Sequence, residues 1–194
     1  MAPILVRRFA GLWLLLAAAS APAHAKPVPY ALDQRYATIG FTTSGLVSAQ
    51  GYFKTFSGHL ALDFQKPENS AVDVAVDDQG ITLSIPFGVP MLRSRAYFDS
   101  KDFPQILFRS ISIKPAQNPG RYEILGALTI RGITKPQMML ATLLSAPSGA
   151  QNAGTADFYV TGTLRRSAFG MVADQDVVND AVVLQIHARV MLAK

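Results

Sequence analysis

The chain has 194 residues, 49% hydrophobic and 16% charged, which suits one domain with a real core and is short for two. A net charge of +5, with no basic run longer than two residues, is too mild and too scattered to mark a nucleic-acid-binding protein. The absence of cysteine excludes disulfides, thiol nucleophiles and thiolate metal sites, so burial must supply the stability.

At the start, Arg7 and Arg8 precede a short apolar core from Leu12 to Ala19, and Ala23-His24-Ala25 offers small residues where a signal peptidase needs them. Such a core is well under the ~20 apolar residues that cross a bilayer. Residues 1–25 are therefore expected to be a cleaved secretory signal, leaving a mature domain over 26–194. Losing Arg7 and Arg8 lowers the net charge from +5 to +3.

Residues 26–30 carry two prolines and read as an entry linker. Ile39, Phe41 and Thr43 alternate with Thr38, Gly40 and Thr42, the period-2 pattern of a strand. A stretch with glycines bracketing aromatics follows at 51–58, and then Leu60, Leu62 and Phe64 alternate with polar or small neighbours. Lys66-Pro67-Glu68-Asn69 is a turn by composition. Val72, Val74 and Val76 form the next strand, Asp78-Gln79-Gly80 the next turn, and Ile81, Leu83 and Ile85 a further strand. Residues 90–99 break the period and fit a short helix with Pro90 near its first turn. Ile106, Phe108 and Ser110 resume the alternation.

From Tyr122 to Ile130 the positions Tyr122, Ile124, Gly126, Leu128 and Ile130 alternate with Glu123, Leu125, Ala127 and Thr129 as two different faces. Arg131-Gly132 punctuates the run, and Pro136 marks a new segment. Residues 137–144 are apolar on both faces, so a strand, a turn and a second strand are expected here as a hairpin. A small-residue loop at 145–154 separates this hairpin from two closing strands, around Phe158 to Leu164 and Val182 to Val190. About eight strands and one short helix indicate an all-β antiparallel sandwich or barrel, and periodicity does not choose between them.

Catalytic signatures are sparse. His59 and His187 lie far apart on the polar sides of strands, and no HExxH, P-loop or dinucleotide fingerprint occurs. Asp77-Asp78 and the pair Asp174 and Asp176 sit in turn-like contexts that favour Asp for local hydrogen bonds. Ser94, Ser110 and Ser167 have no base nearby in sequence. Phenylalanines spread over the strands and the helix, with Met138, Met139 and Leu140, suit either a filled interior or a cavity holding one ligand.

The chain resembles the YceI-like family of periplasmic polyisoprenoid-binding proteins. The segments that carry the resemblance are Leu92-Arg-Ser-Arg-Ala-Tyr-Phe-Asp99 with Phe103-Pro-Gln-Ile-Leu-Phe-Arg-Ser110, Gly126-Ala-Leu-Thr-Ile-Arg-Gly-Ile-Thr-Lys-Pro136 and Arg165-Arg-Ser-Ala-Phe-Gly-Met171. Tyr36 stands where the family commonly has a histidine, and a second common histidine is missing. The resemblance implies a lipocalin-like extended antiparallel β-barrel in the periplasm. Its pore would hold a long isoprenoid lipid, a polyprenyl or quinone tail, for non-catalytic binding, transport or storage. On this reading Phe41, Phe64, Phe98, Phe108, Met138, Leu140 and Phe158 line the pore. Arg93 and Arg95 either meet a head group at the mouth or fix the helix through Asp99 or a backbone carbonyl. No cofactor and no nucleic acid are implied. The alternatives are an enzyme acting on a lipid inside the barrel, or a module passing a quinone-like ligand to a membrane redox protein. A transient membrane contact and a homodimer stay open.

Overall fold

A computed structural model describes residues 26–147 and 154–193, so the expected secretory signal at 1–25 and the centre of the 145–154 loop lie outside the described residues. The described residues form β1 (Val28–Leu32), β2 (Thr38–Gly45), β3 (Ala49–Leu62), β4 (Ala71–Leu83), α1 (Gly88–Arg93), β5 (Gln105–Pro115), β6 (Arg121–Ile130), β7 (Ile133–Ser145), β8 (Thr155–Arg165) and β9 (Val178–Leu192). Two 3₁₀ turns, Pro67–Asn69 and Arg166–Phe169, complete the set. Eight antiparallel strands close in the order β2-β9-β8-β7-β6-β5-β4-β3 and back to β2. Closure leaves no free edge and turns one face of every strand inward.

The expected linker at 26–30 is largely a strand. β1 enters between β3 and β9 beyond the end of β2, pairing residues 28–31 with 59–62 and residues 30–32 with 190–192. Prolines hid it, yet Pro29 still uses its carbonyl, which accepts from the Ala193 N–H. Two adjoining runs merge, and one expected turn is continuous strand. Residues 51–58 and the run after them belong to one strand, β3. Asp78-Gln79-Gly80 is a bulge inside β4 and not a turn: Phe53 faces Ile81, but Thr55 already faces Asp77.

The central hairpin is as the sequence indicates, and tighter. Arg131 and Gly132 both have positive φ, 52° and 70°, the backbone a two-residue hairpin turn requires. Ile130 therefore pairs with Ile133, and the register runs to Arg121 opposite Thr142. Pro136 does not open a segment; it sits within β7, before the ladder with β8 begins at Met139 and Gly162. There its missing N–H breaks no pairing with β8. The Gln137 side chain covers the gap by donating from Nε2 to the Thr163 carbonyl at 3.2 Å.

The expected helix at 90–99 is shorter and earlier, at 88–93, so Tyr97 and Phe98 follow it in turns. The β4–β5 connection carrying α1 and the segment after β8 cover one end of the barrel, the helix end. Leu92, Tyr97, Phe98, Phe169 and Met171 are buried there. Arg131 ties these pieces together, donating from Nη1 to the Gly170 carbonyl at 2.6 Å and from Nη2 to the Arg95 carbonyl at 3.0 Å. At the far end, Phe64 stacks on Phe158 at 6.4 Å and meets Tyr30 edge-on at 6.0 Å.

Candidate functional site

Inside the barrel lies a cavity of about 260 Å³ that is bordered by residues from both ends. A single water needs only ~10–15 Å³ measured the same way, so this is no packing defect. The side chains around its middle are apolar and come from every side of the barrel: Val74 (β4), Ile106 (β5), Leu128 (β6), Met139 (β7), Val160 (β8) and Ile186 (β9). Two glycines keep the walls thin. A Cβ at Gly51 would collide with the ring of Phe41, and one at Gly126 with the ring of Phe108. Both rings can therefore lie against the wall, which leaves space along the axis.

The charged groups on the border and one tyrosine are directed at the protein. Asp63 accepts from the backbone N–H groups of Gln65 at 2.9 Å and Lys66 at 2.8 Å and from Asn69 Nδ2 at 3.1 Å. The Lys66 N–H, ahead of the others, holds this carboxyl below the usual carboxylate range. The Tyr97 hydroxyl donates to Asp174 at 2.5 Å, and burial, with Asp174 beside it, pushes its pKa up to about 12. Arg166 donates to three backbone carbonyls.

Of the seven residues expected to line the pore, Phe41, Phe64, Phe98, Phe108 and Phe158 do border the cavity. Met138 and Leu140 do not. They project from the outer face of β7, where Met138 is 52% exposed, while Met139 and Ala141 face inward. Their run is apolar on both faces, so hydrophobicity alone could not say which set is inside. The hairpin register could: with Leu128 and Ile130 inward on β6, the one-to-one pairing puts Met139, opposite Ile124, inside as well.

Arg93 and Arg95 lie outside the cavity. Arg93 donates to the Gln79 carbonyl and ties α1 to β4, while Arg95 lies 3.4 Å from Asp102 and 4.0 Å from Asp99 within its own segment. Tyr36, at the position of the absent histidine, is on the surface with the guanidinium of Arg189 4.9 Å from its ring centre.

The Asp77-Asp78 pair is split by the bulge. Asp77 accepts from the Gln79 N–H at 2.9 Å, whereas Asp78 is 1% exposed beside Ser100. Burial pushes the Asp78 carboxyl pKa up, against a weaker downward pull from the Ser100 hydroxyl. A raised folded-state pKa means that stability from this group is full below the unfolded value near 4 and is lost as pH rises through the folded value. Asp78→Asn should therefore raise stability at pH 7 by about 1 kcal/mol, with the advantage vanishing below pH 4. Thermal melts of both proteins from pH 3.5 to 8 check this, and an Asn variant less stable at pH 7 would show that the charged carboxylate is the form the fold wants.

A closed antiparallel barrel around an apolar cavity defines a protein built to enclose something apolar. The model of the YceI-like domain matches residues 30–190, and the chain belongs to that family. A UPF0312 protein of Photorhabdus laumondii is 30% identical over 165 residues, covering 83% of each chain. Among solved structures, BcnA of Burkholderia cenocepacia superposes with a TM-score of 0.72 at 26% identity, over 81% of this chain and 98% of that one. A polyisoprenoid-binding domain from Saccharophagus degradans, implicated in plant cell wall breakdown, shares the fold at a TM-score of 0.59. It is 12% identical, over 86% of this chain and 99% of that one.

Proposed function

We propose that this protein binds a long isoprenoid lipid, of polyprenyl or quinone type, in the barrel and carries or stores it in the periplasm without changing it chemically. The observation that carries the proposal is the apolar cavity between the two ends of the barrel. Each methylene moved from water into such a space contributes about 0.8 kcal/mol, so a long tail gains affinity from length with few polar contacts. Membership of the YceI-like family and the fold shared with a polyisoprenoid-binding domain point the same way. Asp63, Tyr97 and Arg166 border the cavity but have their polar atoms occupied by the protein, which favours holding a lipid over reacting with one.

Organic extraction and mass spectrometry of protein purified from its native periplasm test the proposal. One prenyl or quinone species at near-equal molar ratio is expected, and its head group would name the cargo. Protein that arrives empty and also refuses added polyprenols would sink it.

A further inference from the structure

The helix end is where the cavity meets solvent through apolar side chains. Val47 and Met91 both border the cavity and are themselves exposed. Around them, Leu46 at the β2–β3 turn is 86% exposed, Phe87 at the start of α1 is 96% exposed, and Val172 projects from the loop before β9. Phe87 has a φ of 61°, a left-handed backbone that costs energy for a side chain of its size. A strained residue that sets a phenyl ring in water gains the fold nothing.

The two segments that carry most of this rim are also free of charge. No Lys, Arg, Asp or Glu occurs over residues 36–53 or 79–92. The ionic groups follow these segments in the chain. Arg93 follows Met91 by two residues, and Arg95 and Lys101 share its shoulder with Asp99 and Asp102. Asp174, on the loop of Val172, accepts from Tyr97.

We propose that this rim inserts into the outer layer of a lipid bilayer, so that cargo passes between bilayer and cavity without crossing water. The inference rests on the lipid-binding reading above. A bilayer fits better than a protein partner for two reasons. The exposed side chains stand on three separate tips around an opening instead of forming one flat patch, and the two tips that carry Leu46, Val47, Phe87 and Met91 bring no charge that hydrocarbon would have to desolvate. Arg93, two residues after Met91, would meet the head groups once Met91 is inserted.

The test is sedimentation of the protein with vesicles of zwitterionic phosphatidylcholine, beside the double variant Leu46→Asp/Phe87→Asp. Binding of a polyprenol delivered from ethanol is measured on the same samples. The expected result is that the variant partitions onto vesicles at least about tenfold more weakly, with equal thermal stability and cargo affinity within about twofold. Wild-type protein that binds polyprenol but ignores vesicles, or a variant that partitions like wild type, overturns the docking proposal alone. Cross-linking of the rim to a membrane protein without vesicle binding overturns it in favour of a protein partner. Failure of the wild type to bind polyprenol removes the underlying lipid-binding reading instead. If the double variant unfolds, Phe87→Asp alone decides by the same criteria.

Discussion

Val74→Trp is expected to abolish high-affinity lipid binding while leaving the barrel folded. Val74 faces the cavity from β4. β8, which contributes Val160, is four strands away in either direction around the barrel and so forms the opposite wall. An indole from either wall fills axial space that the tail would occupy. Displacing only two methylenes of a bound chain costs about 1.6 kcal/mol, already more than tenfold in affinity. Val160→Trp should therefore match Val74→Trp, whereas Val74→Leu should stay within a few-fold of wild type. Equilibrium binding of a short polyprenol, with near-ultraviolet circular dichroism to report the fold, checks the set. Should both folded tryptophan variants bind like wild type, the lipid sits elsewhere and the cavity is not its site.

The strands were legible because most alternate cleanly and one hairpin has an unambiguous turn, while the barrel itself followed only from the family resemblance. What escaped did so for physical reasons. β1 contains Pro29 and is only five residues long, and it exists because β3 and β9 outrun β2 and leave a slot between them. That is a tertiary vacancy with no local signature. The Asp78-Gln79-Gly80 bulge has the composition of a turn, and only pairing with β3 on both sides shows that the strand continues through it. Closure itself, which separates barrel from sandwich, depends on the β3–β4 and β2–β3 pairings existing together.

The site was legible where the aromatic stood alone on its face. Phe41 and Phe64 each alternate with polar or small neighbours, so their inward direction could be read from the sequence, whereas Phe108 follows Leu107 and Phe158 precedes Tyr159. Met138 and Leu140 are interleaved with the equally apolar Met139 and Ala141, and hydrophobicity there carried no direction. Arg131 and Arg166 escaped for another reason. A basic residue in a turn or late loop looks like a solvated surface group, and nothing nearby in sequence announces that its partners are carbonyls from distant segments. For Arg131 those carbonyls belong to Arg95 and Gly170, which makes a turn residue the clasp of the helix end.

Arg166 gives the sharpest stability prediction. It is 3% exposed and fans its guanidinium over three carbonyls: Nη2 to Val178 at 2.9 Å, Nη1 to Met171 at 3.0 Å and Nε to Asn179 at 3.2 Å. Its neighbour Ser167 is held by Asp180, whose carboxyl accepts from both the backbone N–H and the hydroxyl. Together they fix the 3₁₀ turn that places Phe169 in the core of the helix end. Arg166→Met keeps much of the volume but strands buried acceptors, at about 1 kcal/mol or more apiece, so a loss of about 3 kcal/mol is expected. For a domain of this size that lowers Tm by about 6–12 °C. Arg166→Lys should recover only part, since a compact ammonium cannot address three carbonyls as a planar fork does. Because the same turn covers one end of the cavity, bound lipid should also dissociate faster from Arg166→Met, by about tenfold, at temperatures where the variant is still folded. Scanning calorimetry and lipid release measured together decide the matter. A Tm within 2 °C of wild type would mean that the three carbonyls find other partners and that the helix end does not depend on this arginine.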